Sequence, residues 1–258
     1  MTLKEKIAGR LRQISMHQAT SITPLGDDIL LATNKVFGEP VFFPYKSRLT
    51  FDYRQLHNHS KRYFTYLAEK YTQQGFDILP TDTVIDCGAF VGGFTVAAVR
   101  AGAKRVISVE PSSRNFRCLN LNVARQGFTG KVTTLNNGLG NEPGVMNLNL
   151  SESGCDDSLL EPDEGATGKT EQVKIITLAG MVKEFDISSE NLFLKVEAEG
   201  FEPEIIQGLG DIRPRVITVD ITPERDGDSP LETIREMLVA KGYKHFEVTP
   251  RCLFTAMA

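Results

Sequence analysis

From Thr83 onward, short apolar runs alternate with helical ones, and no other feature of the chain narrows its fold so far. "TVIDCGAF" reads as an apolar strand and "FTVAAVRAG" as a helix ending at Gly102. "RVISVEP" and "SRNFRCLNLNVARQG", closed by Gly127, repeat the unit, and "KVTTLNNG" begins a third. Each unit takes about 25 residues, the length of a strand plus its crossover helix in a parallel sheet. "NLFLKVEAEG" and "FEPEIIQGLG" resume the alternation, and "RVITVDITP" and "SPLETIREMLVAKGY" extend it. Pro203, flanked by Glu202 and Glu204, suits a first helical turn, and Ser229, Pro230 and Glu232 read as a capping box. "HFEVTP" and "CLFTAM" are expected to form an antiparallel hairpin. Before "NLFLKVEAEG", the runs "MNLNLSE" and "EQVKIITLAG" flank a polar, Gly-rich stretch from Ser153 to Thr170, expected to be an excursion or lid.

The residues before Thr83 follow a different pattern. Leu3, Ile7, Leu11 and Ile14 recur at helical spacing, "DILLATN" and "EPVFFPY" read as strands, and "LHNHSKRYFTYLAEKYTQQ" reads as a second helix. The expected organisation is an N-terminal extension over 1–82, serving as a substrate cap, and a cofactor-binding catalytic domain over 83–258. A chain of 258 residues, 41% hydrophobic and 24% charged, can bury a core without disulfide or metal staples. A net charge of −4 with no basic run points away from nucleic acid and towards a small-molecule partner. Cys87, Cys118, Cys155 and Cys252 are scattered without metal-ligand spacing, which suggests no metal site and a reducing, cytoplasmic setting. The amphipathic start lacks the apolar core of a secretory signal, and no window is apolar enough to span a membrane.

The turn in "TVIDCGAFVGGFTVAAV" carries the first functional signal. Glycines between a strand and its helix let backbone approach a ligand, where the helix start offers free N–H groups. Asp86, Gly88 and Gly92 lie at that turn, and Glu110 ends the next strand, where an acid can accept from both ribose hydroxyls. The pairing suits NAD or S-adenosylmethionine. Ala89 and Phe90 occupy the span where a dinucleotide fingerprint has its middle glycine. Asp86 would repel a pyrophosphate yet pair with the ammonium of a methionine moiety. The balance favours S-adenosylmethionine, with Asp86 as the expected anchor of its methionine end. Asn136 and Asn137 end the third strand, where an adenine edge would be read.

"VIDCGAFVGGFT", "SVEPSSRNFRCLNLNV" and, most specifically, "LKVEAEGFEPEIIQGL" resemble the FkbM family of S-adenosylmethionine-dependent methyltransferases, over roughly Thr83 to Asp220. The resemblance implies an α/β, Rossmann-like class I methyltransferase fold. That fold has a mostly parallel seven-stranded sheet, a C-terminal antiparallel hairpin and, here, an N-terminal helical and strand extension. It also implies cofactor contacts from Asp86, Gly88, Ala89, Gly92, Phe94 and Thr95, from Glu110, Pro111, Ser112 and Asn115, and from Asn137. "GCDDSLL" resembles a family segment that follows the third strand, so Asp157 and Ser158 are expected to close over cofactor or acceptor. The chain departs from the family in two places: Phe90 stands where Asn is usual, and Glu197 where Asp is common.

"LKVEAEG" is the stretch expected to carry catalysis. In an extended strand Lys195, Glu197 and Glu199 project to one side and Leu194, Val196 and Ala198 to the other. Charges on a central parallel strand are costly unless paired or used. A hydroxyl acceptor needs its proton removed as the new bond forms. Glu197 or Glu199 is the expected base, Lys195 would stabilise the ionised carboxylate, and Asp220, ending the next strand, would share the role. The alternative is that Glu197, Glu199 and Asp220 hold Mg²⁺; direct base catalysis is favoured over it. Tyr53 and His57 are the candidate substrate contacts in the extension. The expected reaction is O-methylation of a sugar or secondary metabolite. A nitrogen acceptor or a non-catalytic cofactor-binding protein are the alternatives.

Overall fold

The computed structural model describes residues 20–34, 39–44, 63–162 and 165–257. The expected first helix, the start of the second, Tyr53 and His57 lie outside the described residues. The chain begins with an antiparallel meander of β1 (Thr20–Gly26), β2 (Ile29–Asn34) and β3 (Pro40–Pro44), followed by helix α1 (Tyr63–Tyr71). The expected alternation then appears as β4 (Thr83–Cys87), α2 (Gly93–Arg100), β5 (Arg105–Val109), α3 (Ser113–Arg125) and β6 (Val132–Leu135).

The excursion is mostly sheet. The short β7 (Gly138–Leu139) pairs with β9 (Ala166–Ile176), which pairs antiparallel with β8 (Gly144–Ser151). The expected lid is thus shorter than its composition suggested, because Ala166 to Thr170 already belong to β9. An isolated bridge between Asn149 and Ser158 pins the remaining loop to β8. Helix α4 (Leu178–Glu184), β10 (Leu192–Val196), α5 (Glu202–Gln207), β11 (Val216–Asp220), α6 (Leu231–Ala240), β12 (His245–Val248) and β13 (Cys252–Ala256) complete the chain.

The main sheet has the order β12-β13-β11-β10-β4-β5-β6. β13 runs antiparallel to both its neighbours, β11 and β12, and the other six strands share one direction. The strand order reverses between β4 and β10, so their carboxyl ends open a crevice where a ligand can lie. Period-two alternation sends Ile85, Ile107, Leu194 and Ile217 into one core with α4, α5 and α6. Val84, Val106, Phe193 and Val216 face the other core, with α1, α2 and the meander.

On that second face one row is polar. The register places Ser108 beside Asp86, Asp86 beside Lys195, and Lys195 beside Thr218. All four are buried. An isolated charge in such a row would be prohibitively costly, so the row must pair within itself or with the helices above it.

Candidate active site

The turn after β4 is fixed from both sides. The N–H groups of Gly88 and Ala89 both donate to the Val109 carbonyl at 3.0 Å, tying the turn to β5. Gly88 has φ +67°, and a Cβ there would lie 1.7 Å from the Glu197 carbonyl oxygen. Only glycine fits so close to β10. Phe90 is also left-handed, at φ +51°. Asn tolerates that conformation better than Phe, which accounts physically for the Asn that is usual in the family. The Phe90 N–H donates to Glu110 Oε2 at 2.8 Å, and the Ser112 N–H to Glu110 Oε1 at 2.9 Å. Burial nevertheless pushes the Glu110 carboxyl up to about 8.

A cleft of about 670 Å³ opens at the carboxyl ends of β4, β5 and β10. Among the expected cofactor residues, Gly88, Ala89, Phe94, Glu110, Pro111, Asn115 and Asn137 line it. Asn115 donates to the Gly154 carbonyl at 2.8 Å, while its buried Oδ1 has no hydrogen-bond partner. An orphaned acceptor beside the Glu110 carboxylate is what an incoming hydroxyl or amine donor would satisfy, so these residues fit the ribose end of S-adenosylmethionine.

Other expected residues are placed elsewhere. Asp86 does not line the cleft: its carboxylate accepts from Thr95 Oγ1 at 2.6 Å and pairs with Lys195 Nζ at 3.1 Å. It therefore anchors β10 and α2, where a contact with the methionine end had been expected. Thr95, Gly92 and Ser112 likewise sit behind the lining: Thr95 serves Asp86, Gly92 opens α2 at φ +84°, and Ser112 is fully buried. Asn136 braces the turn by donating to the carbonyls of Glu110 and Pro111, both at 2.9 Å.

The carboxylate strand divides into two kinds of group. Lys195 Nζ donates to the carbonyls of Gly88 (2.8 Å) and Cys87 (3.0 Å) and pairs with Glu197 Oε2 at 3.3 Å besides Asp86. Burial would lower its pKa, but the carboxylates of Asp86 and Glu197 more than reverse that. Glu197 also pairs with Lys70 Nζ at 2.6 Å and accepts from the Tyr71 hydroxyl. Burial alone would raise the Glu197 carboxyl; Lys70 and Lys195 hold it well below the usual carboxylate range. A carboxylate so saturated is a poor base. Asp220 is buried outside the cleft lining, paired with Lys70 at 2.9 Å and receiving the Thr222 N–H at 2.9 Å.

Glu199 differs from all of these. β10 ends at Val196, so Glu199 reaches the cleft from a turn at φ +50° and not by strand alternation. Its half-buried carboxylate makes no hydrogen bond or ion pair among the described residues. Burial first, and then the acids Glu224, Glu197, Asp156 and Glu202, raise it well above its ordinary value. Ser158, expected to close over cofactor or acceptor, is buried and donates from Oγ to the Glu199 carbonyl at 2.8 Å, fixing this turn. Asp157 lines the cleft, but its carboxylate is held by Arg114 (2.5 Å) and the Ser151 N–H (2.8 Å).

Helix α1 supplies residues that the sequence argument missed. Tyr63, Tyr66, Leu67, Lys70 and Tyr71 all line the cleft. Their spacing forms one helical face, and a lysine within an aromatic stripe was the available signal. Thr222, Glu224 and Arg251 complete the wall with no sequence motif around them.

The model of the Methyltransferase FkbM domain matches residues 86–245, more than half of the chain. The chain belongs to the FkbM methyltransferase family. It is accordingly an S-adenosylmethionine-dependent methyltransferase, built on a mostly parallel seven-stranded sheet. Similar solved structures include precorrin-6y C5,15-methyltransferase from Geobacter metallireducens GS-15, at 16% identity over 75% of this chain and 88% of that one, with TM-score 0.40. A SAM-dependent methyltransferase from Aquifex aeolicus is 12% identical over 76% and 97%, TM-score 0.40. The B. subtilis tRNA methyltransferase TrmK is 11% identical over 76% and 66%, TM-score 0.40. These likenesses concern the chain path and say nothing of this FkbM-family member's acceptor. No curated protein matches it significantly. Among the described residues no helix is long and apolar enough to cross a membrane.

Proposed function

We propose that this FkbM-family protein methylates a hydroxyl oxygen of a small molecule or glycan, with Glu199 as the general base. One observation carries the proposal: among the described residues, Glu199 is the cleft acid whose carboxylate is left without a donor or cation, and its surroundings raise its affinity for a proton. When bound, S-adenosylmethionine supplies an electrophilic methyl group on a sulfonium sulphur. Glu110 and Asn115 would hold its ribose, and the turn from Gly88 to Phe90 would line its path. Glu199 would take the acceptor's O–H proton as the new bond forms, a role worth roughly 10²–10⁴ in rate. Glu197, Lys70 and Lys195 would keep the β10 end rigid around it. The N-terminal extension enters as a cap, because the α1 face of Tyr66, Leu67 and Lys70 forms one wall of the cleft. Asp156, Glu199 and Glu224 at the cleft disfavour a polyphosphate acceptor such as nucleic acid, since like charges repel. Four free cysteines, three of them buried, suit a cytoplasmic setting.

The test is a screen with methyl-labelled S-adenosylmethionine against hydroxylated sugars and metabolites, primary amines and RNA. Label is expected in an ether, stable to mild base. Label in an amine or in RNA alone would overturn the oxygen assignment.

A further inference from the structure

The loops that follow β10 and β11 pack directly on one another. A Cβ on Gly200 would lie 3.4 Å from the Glu224 carbonyl oxygen and 3.5 Å from its carbonyl carbon. Each loop brings one carboxyl group to the same cleft, Glu199 from the first and Glu224 from the second.

The neighbouring cations are engaged elsewhere. Lys70 pairs with Glu197 and Asp220, Lys195 with Asp86 and Glu197, and Arg225 with Glu204 at 2.8 Å. Arg251, also at the cleft, faces Asp220 and Glu197. The Glu224 carboxyl accepts from the Thr222 hydroxyl at 2.5 Å, and no cation pairs with it among the described residues. Two carboxyl groups that packed loops bring to one cleft, with no cation paired to either among the described residues, cannot both ionise cheaply and are expected to titrate as a pair.

We propose that Glu199 and Glu224 share one proton, and that Glu224 thereby sets the protonation state of Glu199. This rests on the assignment of Glu199 as the base. Glu224 is a positioning residue here, acting through Glu199. The strongest charged influences on Glu199 come from several neighbouring elements: Asp156 from the loop after β8, Glu197 just past the end of β10, Glu202 from α5 and Glu224 from beyond β11. These four are acids, and each favours a proton on the pair. The cleft cations Lys70, Lys195 and Arg251 face Glu197, Asp86 and Asp220. Burial and nearby Glu202 push Glu224 itself up to about 8. With the shared proton on Glu224, Glu199 is the ionised member and is free to accept the acceptor's hydroxyl proton. The pair then holds two protons, and one must leave to solvent before the next turnover. A single shared proton thus reconciles a raised proton affinity with a base that is ionised near neutrality.

The titration that tests the pairing needs no acceptor and no cofactor; the transfer assay that tests the base assignment uses the acceptor found in the screen. The full chain is labelled with ¹³C at glutamate carboxyl carbons and titrated by NMR, as the parent, Glu199→Gln and Glu224→Gln. The Glu199 signal is identified by its disappearance in Glu199→Gln. In the parent the two carboxyls are expected to titrate in two linked steps, the upper one above pH 7. In Glu224→Gln the Glu199 midpoint is expected to fall by about one pH unit or more, tenfold in proton affinity. A purely structural Glu224 would leave that midpoint where it was, and an unmoved midpoint overturns the proposal. Should Glu224→Gln not fold, the parent decides alone: two independent curves near the ordinary 4.5 overturn it as well. An unmoved midpoint with methyl transfer still lost in Glu199→Gln rejects the pairing alone. Full transfer in Glu199→Gln rejects the base assignment, whatever the titration shows.

Discussion

Lys195→Met is expected to lower the unfolding free energy by about 3–5 kcal/mol, read as a fall in the denaturant midpoint at unchanged slope. Methionine keeps the length of the side chain but not its charge. Asp86 would then lie in the core with only the Thr95 hydroxyl for company, and the carbonyls of Cys87 and Gly88 would each lose a donor. Glu197 would suffer less, because Lys70 and Tyr71 still hold it. The double variant Lys195→Met with Asp86→Asn removes both charges and is expected to recover part of the loss. If Lys195→Met costs under about 1 kcal/mol, the polar row across β5, β4, β10 and β11 does not depend on the pairs described here.

Glu199→Gln is expected to reduce turnover by about 10²–10⁴ while leaving cofactor affinity nearly unchanged. Glutamine preserves size and the turn held by Ser158, yet it cannot take a proton. Glu197→Gln should behave differently. It leaves Lys70 and Lys195 short of a counter-charge, so its main effect should be on stability, with a smaller and parallel loss of activity. Comparing kcat and unfolding midpoint for the two variants separates them. Near-parental turnover in Glu199→Gln would return the base to another group.

The sheet was legible because its signals are periodic. Apolar strands, glycine helix ends and the final hairpin all lie where spacing places them. β1 escaped because it is an exposed strand containing Pro24, with no alternation to read. α4 escaped because its apolar start follows the end of β9 directly; only Thr177, whose hydroxyl receives the Gly180 N–H at 3.0 Å, marks the break. The capping box at α6 did not form. Pro230 is the N-cap, and the Ser229 hydroxyl donates to the Ile221 carbonyl at 2.7 Å.

In the site, sequence showed which residues carry charge but not which way each charge is spent. Alternation put Lys195 and Glu197 on one face correctly. It could not show that strand register sets Lys195 beside Asp86, where the two form an ion pair. Nor could it show that α1 returns Lys70 and Tyr71 to Glu197, more than a hundred positions away in sequence. Both are facts of long-range packing, on which local periodicity is silent.

The central claim is that the cleft holds S-adenosylmethionine by its ribose at Glu110, with the reacting end towards Glu199. Calorimetric titration of S-adenosylmethionine into the parent and into Glu110→Gln tests it most directly. Exchanging the carboxyl for an amide leaves one oxygen to serve both ribose and backbone, and is predicted to weaken binding by about 2 kcal/mol, near 30-fold. The unfolding midpoint is measured alongside, because only one of the two backbone N–H groups keeps its acceptor. Equal affinity in the two proteins, or tight binding of NADH by the parent, would contradict it.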